Sequence, residues 1–325
     1  MSVVAGIDEA GFGPLLGPLV VTTAGISLPE ERLDSDMWDL LSPAVSKKPS
    51  RRSQAVVIAD SKKVFQRGRA NALAPLERGV LSMLAACGVR PASLRALLQA
   101  VAPTSLDPLA RYPWYAEANL PLPRQADPTD ISLTGNAVGC AMKEARLSLS
   151  AVRSEVIFVG EYNRIVAATR NKSVTLFDIN SRLLYYLWPK LWADGGALAR
   201  IHADRLGGRM RYLTPLQRVL PDCSFTVIEE TDARSGYRIA DGPRTAELFY
   251  GVKFDRLHLP VALASMVSKY LRELFMELIN AWWASHVPHL APTAGYYTDG
   301  KRLLGEIAPA VQRLGVDLSL VRRNR

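Results

Sequence analysis

The sequence predicts an α/β fold, a mixed central sheet flanked by helices with a smaller helical part at the C-terminus. Short aliphatic, β-branched runs alternate with longer stretches whose apolar residues recur at helical spacing. No internal repeat interrupts this alternation. Of 325 residues, 48% are hydrophobic and 22% charged, an ordinary globular balance that excludes a disordered chain, a collagen-like repeat and a coiled coil.

The elements follow in order. Residues 3–7 (Val3-Val4-Ala5-Gly6-Ile7) read as a short buried strand, residues 11–18 as a glycine- and proline-rich turn, and residues 19–26 as a second strand. Residues 42–52, with Lys47, Lys48, Arg51 and Arg52, read as a solvated basic loop. Val56-Val57-Ile58 is a short apolar piece before Asp60-Ser61-Lys62-Lys63. Leu73, Leu76, Val80, Leu81 and Leu84 keep helical spacing. Residues 103–128 hold many prolines and read as an insertion or surface loop. Residues 136–154 follow a helical pattern and residues 156–159 a buried strand. Residues 184–192 are aromatic and helical, residues 199–203 a strand leading into Asp204, and residues 225–228 another strand. Residues 261–285 carry the longest helical signal. The expected organisation is one domain over residues 1–285, with insertions near 30–55, 103–130 and 207–250, and a helical segment over 286–325.

Residues 1–6 run into Asp8 and Glu9 without a basic stretch, so no secretory signal is expected. The apolar run 15–26 is broken by Gly17 and Pro18, and 261–283 by Lys269, Arg272, Glu273 and Glu277. Neither is expected to cross a bilayer. Cys87, Cys140 and Cys223 are scattered, which forms neither a disulfide framework nor a zinc site and suits a cytoplasmic protein. Forty Lys and Arg against 31 Asp and Glu leave a net charge of +9, compatible with a polyanionic partner such as nucleic acid.

The sharpest chemical signal is Gly6-Ile7-Asp8-Glu9-Ala10-Gly11-Phe12-Gly13-Pro14. Neighbouring side chains of a regular strand face opposite sides. Asp8 and Glu9 therefore reach one site only if the backbone turns between them. Two clustered anions resist ionisation unless a cation joins them, which points to a divalent metal. An isolated Asp-Glu pair is more often an ordinary acidic turn. Gly11, Gly13 and Gly17 after a strand also suit a dinucleotide-binding turn. Pro14 and Pro18 oppose that reading, because they fall where the phosphate-binding helix would run, and two carboxylates would repel a pyrophosphate.

The run from Gly6 to Pro18 closely resembles the signature of the ribonuclease HII (type 2 ribonuclease H) family. Asp60-Ser61-Lys62-Lys63, Asp204 at a strand end, Lys253-Phe254-Asp255, the alanine-rich stretch 261–269 and Gly295-Tyr296-Tyr297-Thr298 are similar to further family segments in the same order. The resemblance spans nearly the whole chain. It implies a ribonuclease H-like fold whose C-terminal part packs over the substrate groove. It also implies endonucleolytic cleavage of the RNA strand in RNA–DNA hybrids or ribonucleotide-containing DNA, leaving 5′-phosphate and 3′-hydroxyl ends. Asp8, Glu9, Asp204 and Asp255 would hold two divalent ions, Mg²⁺ or Mn²⁺, since hard oxygen ligands suit these metals. Gly11, Phe12, Gly13, Lys62, Ser265, Lys269 and Tyr296 would contact substrate. Ser265 and Lys269 lie four apart on one helix face, although Lys269 could instead pair with Glu273.

The departures are informative. Asp204 and Asp255 are 51 residues apart, which reads as an insertion carrying Arg209, Arg211, Arg218 and Arg234, either a nucleic-acid contact surface or a solvated loop. Phe12 stands where the family usually has Arg or Lys, which helps recognise a 2′-hydroxyl. A hybrid-binding protein with weak or altered cleavage is therefore a second reading. The expected state is a monomer, and His286 and His289 are assigned no role.

Overall fold

Val3, Ala5 and Ile7 enter one apolar core and Val4 enters another, so the first strand is buried on both faces. That burial explains its nearly unbroken apolar run. The computed structural model describes residues 1–49 and 54–324. Arg51, Arg52 and Arg325, part of the expected basic segments, lie outside the described residues.

β1 (Ser2–Ala10) and β2 (Leu19–Leu28) flank the glycine turn. α1 (Met37–Leu40), the two-residue strands β3 (Val45–Ser46) and β4 (Val56–Val57), α2 (Ser61–Val64), α3 (Ala74–Ala85), α4 (Leu94–Val101) and α5 (Pro128–Glu144) precede β5 (Ser148–Ile157). α6 (Val159–Thr169) and α7 (Lys172–Leu187) lead to β6 (Leu198–Asp204). α8 (Leu213–Val219) precedes β7 (Ser224–Glu230), β8 (Arg234–Asp241) and β9 (Arg244–Gly251). α9 (Leu259–His286), α10 (Tyr297–Leu314) and α11 (Leu318–Val321) follow.

The main sheet runs β5-β2-β1-β6-β9-β8-β7. β1, β6 and β9 are parallel to one another, and the remaining pairs are antiparallel. The expected mixed sheet flanked by helices is thus the architecture. α3, α5 and α9 cover one face, and α6, α7 and α8 the other. α9 is buried on nearly all sides, so its apolar residues surround it rather than form a stripe. It crosses β1 at Gly6, where a Cβ would overlap the Pro260–Val261 backbone. Among the described residues no helix is long and apolar enough to cross a membrane.

Three local expectations are corrected. Residues 103–128 are not a surface loop. Tyr112, Trp114 and Tyr115 are buried in the α9 core, with the Tyr115 and Phe275 rings 5.0 Å apart. The buried Glu77 carboxylate ties down the end of this segment, accepting from the amides of Arg124, Gln125 and Ala126 at 2.6, 2.7 and 2.8 Å. Proline-broken spacing hid these anchors, because irregular turns bury residues without a period.

Residues 136–154 are not one helix. α5 starts earlier, at Pro128, and ends at Glu144; Arg146 then takes a left-handed conformation (φ 57°), and residues 148–157 pair with β2. Nor are residues 207–250 a loop. They supply β7, β8 and β9, with Tyr237 and Ile239 inward and Arg238 outward, and Arg234 and Arg238 are ion-paired to Glu229 and Glu247.

Candidate active site

The parallel strands β1, β6 and β9 all bring their C-terminal ends to the same edge of the sheet. Ligands of α/β sheets bind at that edge, outside the carboxyl ends of the strands. Asp8 and Glu9 are near the end of β1, Asp204 is the last residue of β6, and Asp255 follows β9 in the short turn Phe254–Arg256.

The expected bend between Asp8 and Glu9 is absent. β1 stays paired with β2 through Ala10, with Asp8 opposite Thr22 and Glu9 opposite Val21. Strand alternation therefore sends the two carboxylates to opposite faces. Asp8 turns toward α9, where the Ser265 hydroxyl hydrogen-bonds its carboxylate. Asp204 reunites them electrostatically. The β1–β6 ladder ends at the Ile7–Ala203 pair, one residue short of Asp8 and Asp204, and the Asp204 charge acts on both Asp8 and Glu9.

Burial raises all four acids, and neighbouring carboxylates add to the rise at Asp8, Glu9 and Asp255. Asp8, 7% exposed, is pushed well above the usual range by burial and then by the charges of Glu9 and Asp204. Glu9 rises to about 8, first through burial and then through Asp204, with Lys62 opposing. Burial raises Asp204, against hydrogen bonds from the Phe254 and Lys253 amides; the Phe254 N–H donates to Oδ1 at 3.3 Å. Asp255 rises to about 6 through burial and the charges of Asp60 and Asp204. Lys62 lowers Glu9, Asp204 and Asp255 together, so its cation faces the acidic patch.

Two side chains in this patch were not assigned roles from sequence. Asp60 caps α2, accepting from the Lys62 amide at 3.0 Å, and its other oxygen accepts from Arg256 at 3.0 Å. The Ser268 hydroxyl lies 3.1 Å from the Asp8 carbonyl and 2.7 Å from the Thr22 hydroxyl, tying α9 to both strands. The Asp60-Ser61-Lys62-Lys63 motif was visible in sequence, but its join to α9, a Ser61–Ser265 hydroxyl contact at 3.0 Å, is a tertiary fact.

Among the described residues no three acidic, histidine or cysteine side chains close around one ion. The patch is open, yet its chemistry fits a hard divalent cation. Its donors are carboxylate oxygens, and Glu9 Oε2 is buried with no hydrogen-bond partner. Charge compensation by a cation would relieve both the orphaned oxygen and the mutual repulsion.

The glycine turn borders this patch. Gly11 has φ +90°, and a Cβ there would come within 2.8 Å of the Pro18 carbonyl, so only glycine fits. Gly13 faces open space. The Phe12 ring is half-buried against the second core. The turn runs into β2 rather than a helix, so it offers no helix N-terminus to a pyrophosphate, which removes the dinucleotide reading. Gly295 O accepts from the Leu15 and Leu16 amides at 2.7 and 3.2 Å, which brings Tyr296, 55% exposed, beside the turn.

Of the two partners expected for Lys269, the structure shows Glu273, at 2.6 Å, and the Phe65 ring centre lies 4.8 Å from the same ammonium.

No known family pattern matches this chain, and no curated protein resembles it in sequence. Solved structures resemble it weakly. RNase HII of Archaeoglobus fulgidus, solved with PCNA, is 16% identical at a TM-score of 0.44, with 99% of this chain and 94% of that one covered. Ribonuclease H2 of Pyrococcus horikoshii OT3 is 13% identical at 0.41, with 98% and 92% covered. Bst-RNase HIII in complex with Mn²⁺ is 14% identical at 0.41, covering 99% of this chain and 66% of that one. Likeness at this level carries neither activity nor substrate to the present chain.

Proposed function

We propose that the chain is a divalent-metal-dependent endonuclease that hydrolyses the RNA strand of RNA–DNA hybrids or cuts at ribonucleotides in DNA. One observation carries the reading: Asp8, Glu9, Asp204 and Asp255 all lie at the C-terminal edge of three parallel strands, each raised by burial, with Glu9 and Asp204 bearing on Asp8 and Asp204 on Glu9. Crowded carboxylates repel one another unless a cation joins them, and Glu9 Oε2 is buried without a hydrogen-bond partner. Cation ligands are the role that suits them.

In this reading the four carboxylates hold Mg²⁺ or Mn²⁺, which would compensate charge on the attacking water and the departing 3′ oxygen. The chain's own groups do the rest. Lys62 balances the patch so that a polyanion is not repelled. The Gly11–Gly13 turn brings backbone close to a ribose. Tyr296 offers an exposed ring beside it. Residues 1–285 carry the catalytic groups, and residues 286–325 brace the turn. Recognition rests on phosphates, groove shape and 2′-hydroxyls rather than base sequence.

Phe12 favours a second reading, a hybrid-binding protein with altered cleavage, because its half-buried ring offers no donor to a ribose. One experiment separates the two. A long hybrid, a duplex with a single ribonucleotide and plain DNA are incubated side by side with Mg²⁺, Mn²⁺ or EDTA. The nuclease reading expects 5′-phosphate and 3′-hydroxyl products from the first two, none from plain DNA and none with EDTA. Binding to hybrid without any cleavage would leave the second reading standing.

A further inference from the structure

The C-terminal strap buries a guanidinium against the glycine turn. Arg323 is 2% exposed. Its Nε and Nη2 donate to Gly17 O at 2.9 and 2.6 Å, and its Nη1 donates to Gly11 O at 2.5 Å. Its backbone amide donates to Leu15 O at 2.9 Å, and its guanidinium lies 4.8 Å from the Tyr162 ring centre. The strap is itself pinned, since Asn163 donates to Ser319 O and Arg322 O at 2.9 Å each and accepts from the Asn324 amide at 2.6 Å. No carboxylate pairs with Arg323 among the described residues. Burial and the neighbouring Arg272 cation push it down to about 9, so it remains charged at neutral pH.

A buried cation without an anion is costly, and a fold that only needed packing would place an apolar side chain there. Here every hydrogen bond of the charged group goes to carbonyls of one turn. Gly11 C=O and Phe12 N–H are the two ends of a single peptide group. A charged donor on the carbonyl end polarises the group and strengthens the N–H end as a donor. Among the described residues the Phe12 and Gly13 amides donate to no protein group, and the Gly13 side of the turn is open. A polar crevice of about 20 Å³ lies there, lined by Phe12, Gly13, Arg323 and Asn324.

We propose that Arg323 is a positioning residue for ribonucleotide recognition: it fixes and polarises the Gly11–Phe12 peptide, so that the backbone N–H supplies the donor that the side chain of residue 12 does not. The proposal rests on the hybrid-nuclease reading and adds to it a residue at the far end of the chain. Arg272 differs in function. It donates to Pro18 O, Leu16 O and Ala294 O, fastening the exit of the turn to α9, and it packs against Gly11 without donating to its carbonyl.

The test compares the parent, Arg323→Met and Arg323→Lys on a duplex with one ribonucleotide and on a long hybrid, reading kcat/KM for each and the melting temperature. A lone ribonucleotide must draw all discrimination from one turn. Arg323→Met should therefore lose about tenfold more on it than on the long hybrid, as loss of one charge-assisted hydrogen bond would. Arg323→Lys, which keeps the buried cation, should recover part of that ratio. An unchanged substrate ratio in a folded variant would overturn the proposal and leave the nuclease reading intact. If Arg323→Met does not fold, the ratio in Arg323→Lys decides: a weaker single-ribonucleotide preference than the parent's supports the proposal, and a ratio equal to the parent's overturns it. A parent that cleaves neither substrate defeats the nuclease reading and the recognition role with it.

Discussion

Replacing Glu9 with Gln should make the metal-free protein more stable at neutral pH, and only there. Glu9 keeps its proton in the fold up to about pH 8 but loses it near its ordinary value of 4.5 when the chain unfolds. Between these values the folded state binds more protons than the unfolded state, so stability falls as pH rises. One such group contributes a slope of up to about 1.4 kcal/mol per pH unit. Taken across the shift of Glu9, the cost at pH 7.5 is on the order of 4 kcal/mol. That is a large share of a typical domain's 5–15 kcal/mol (order of magnitude, roughly).

Glutamine has nearly the same shape and carries no proton to lose. Its amide meets the same absence of partners as a protonated Glu9 Oε2, so the burial cost of the polar group is similar in both proteins. Asp8 would also lose a neighbouring charge, which acts in the same direction. The assay is urea unfolding in EDTA at intervals from pH 4.5 to 8.5. The two proteins should have similar stability at the acid end and diverge in favour of Glu9→Gln toward pH 8. Parallel curves, or a parent that gains stability with rising pH relative to the variant, would show that Glu9 is not the crowded, buried acid described above.

Asp204→Asn should keep the fold, since the Phe254 amide can still donate to its remaining oxygen, yet reduce cleavage by at least about a hundredfold; wild-type turnover at saturating Mg²⁺ would remove Asp204 from the metal ligands. Gly6→Ala should destabilise by roughly 3 kcal/mol or more, because its methyl would overlap the α9 backbone at Pro260–Val261, and a denaturant midpoint equal to the parent's would contradict that crossing. Hybrid binding should weaken linearly in log Kd against log salt, as the +9 charge suggests, and a flat response would point away from nucleic acid. Phe12→Arg should shift kcat/KM toward the single-ribonucleotide duplex over a long hybrid; a constant ratio would mean that residue 12 does not set this preference.

The sequence by itself determined the α/β frame and offered the carboxylates at its strand ends. Adjacent carboxylates before a glycine turn and an acid at a strand end mark two parts of the acidic patch, because short apolar runs reveal strand ends; Asp255 came only through the family resemblance, since the strand before it was not read. The burial of β1 was legible in the same way, as a continuous apolar run, whereas of α9 the sequence showed the helix and its length but not its burial on nearly all sides. Only the tertiary structure decided how these parts meet. Alternation places Asp8 and Glu9 on opposite faces, and Asp204 joins them across a ladder whose end no local pattern announces. Lys269 turned inward to Glu273, a choice between two partners that helical spacing leaves equal. The irregular segment 103–128 entered the core, because its anchors follow turns rather than a period. Arg323 lies 312 residues from the carbonyl of Gly11 that it holds, and such pairing depends on where a buried cation finds oxygen rather than on anything in its neighbourhood along the chain.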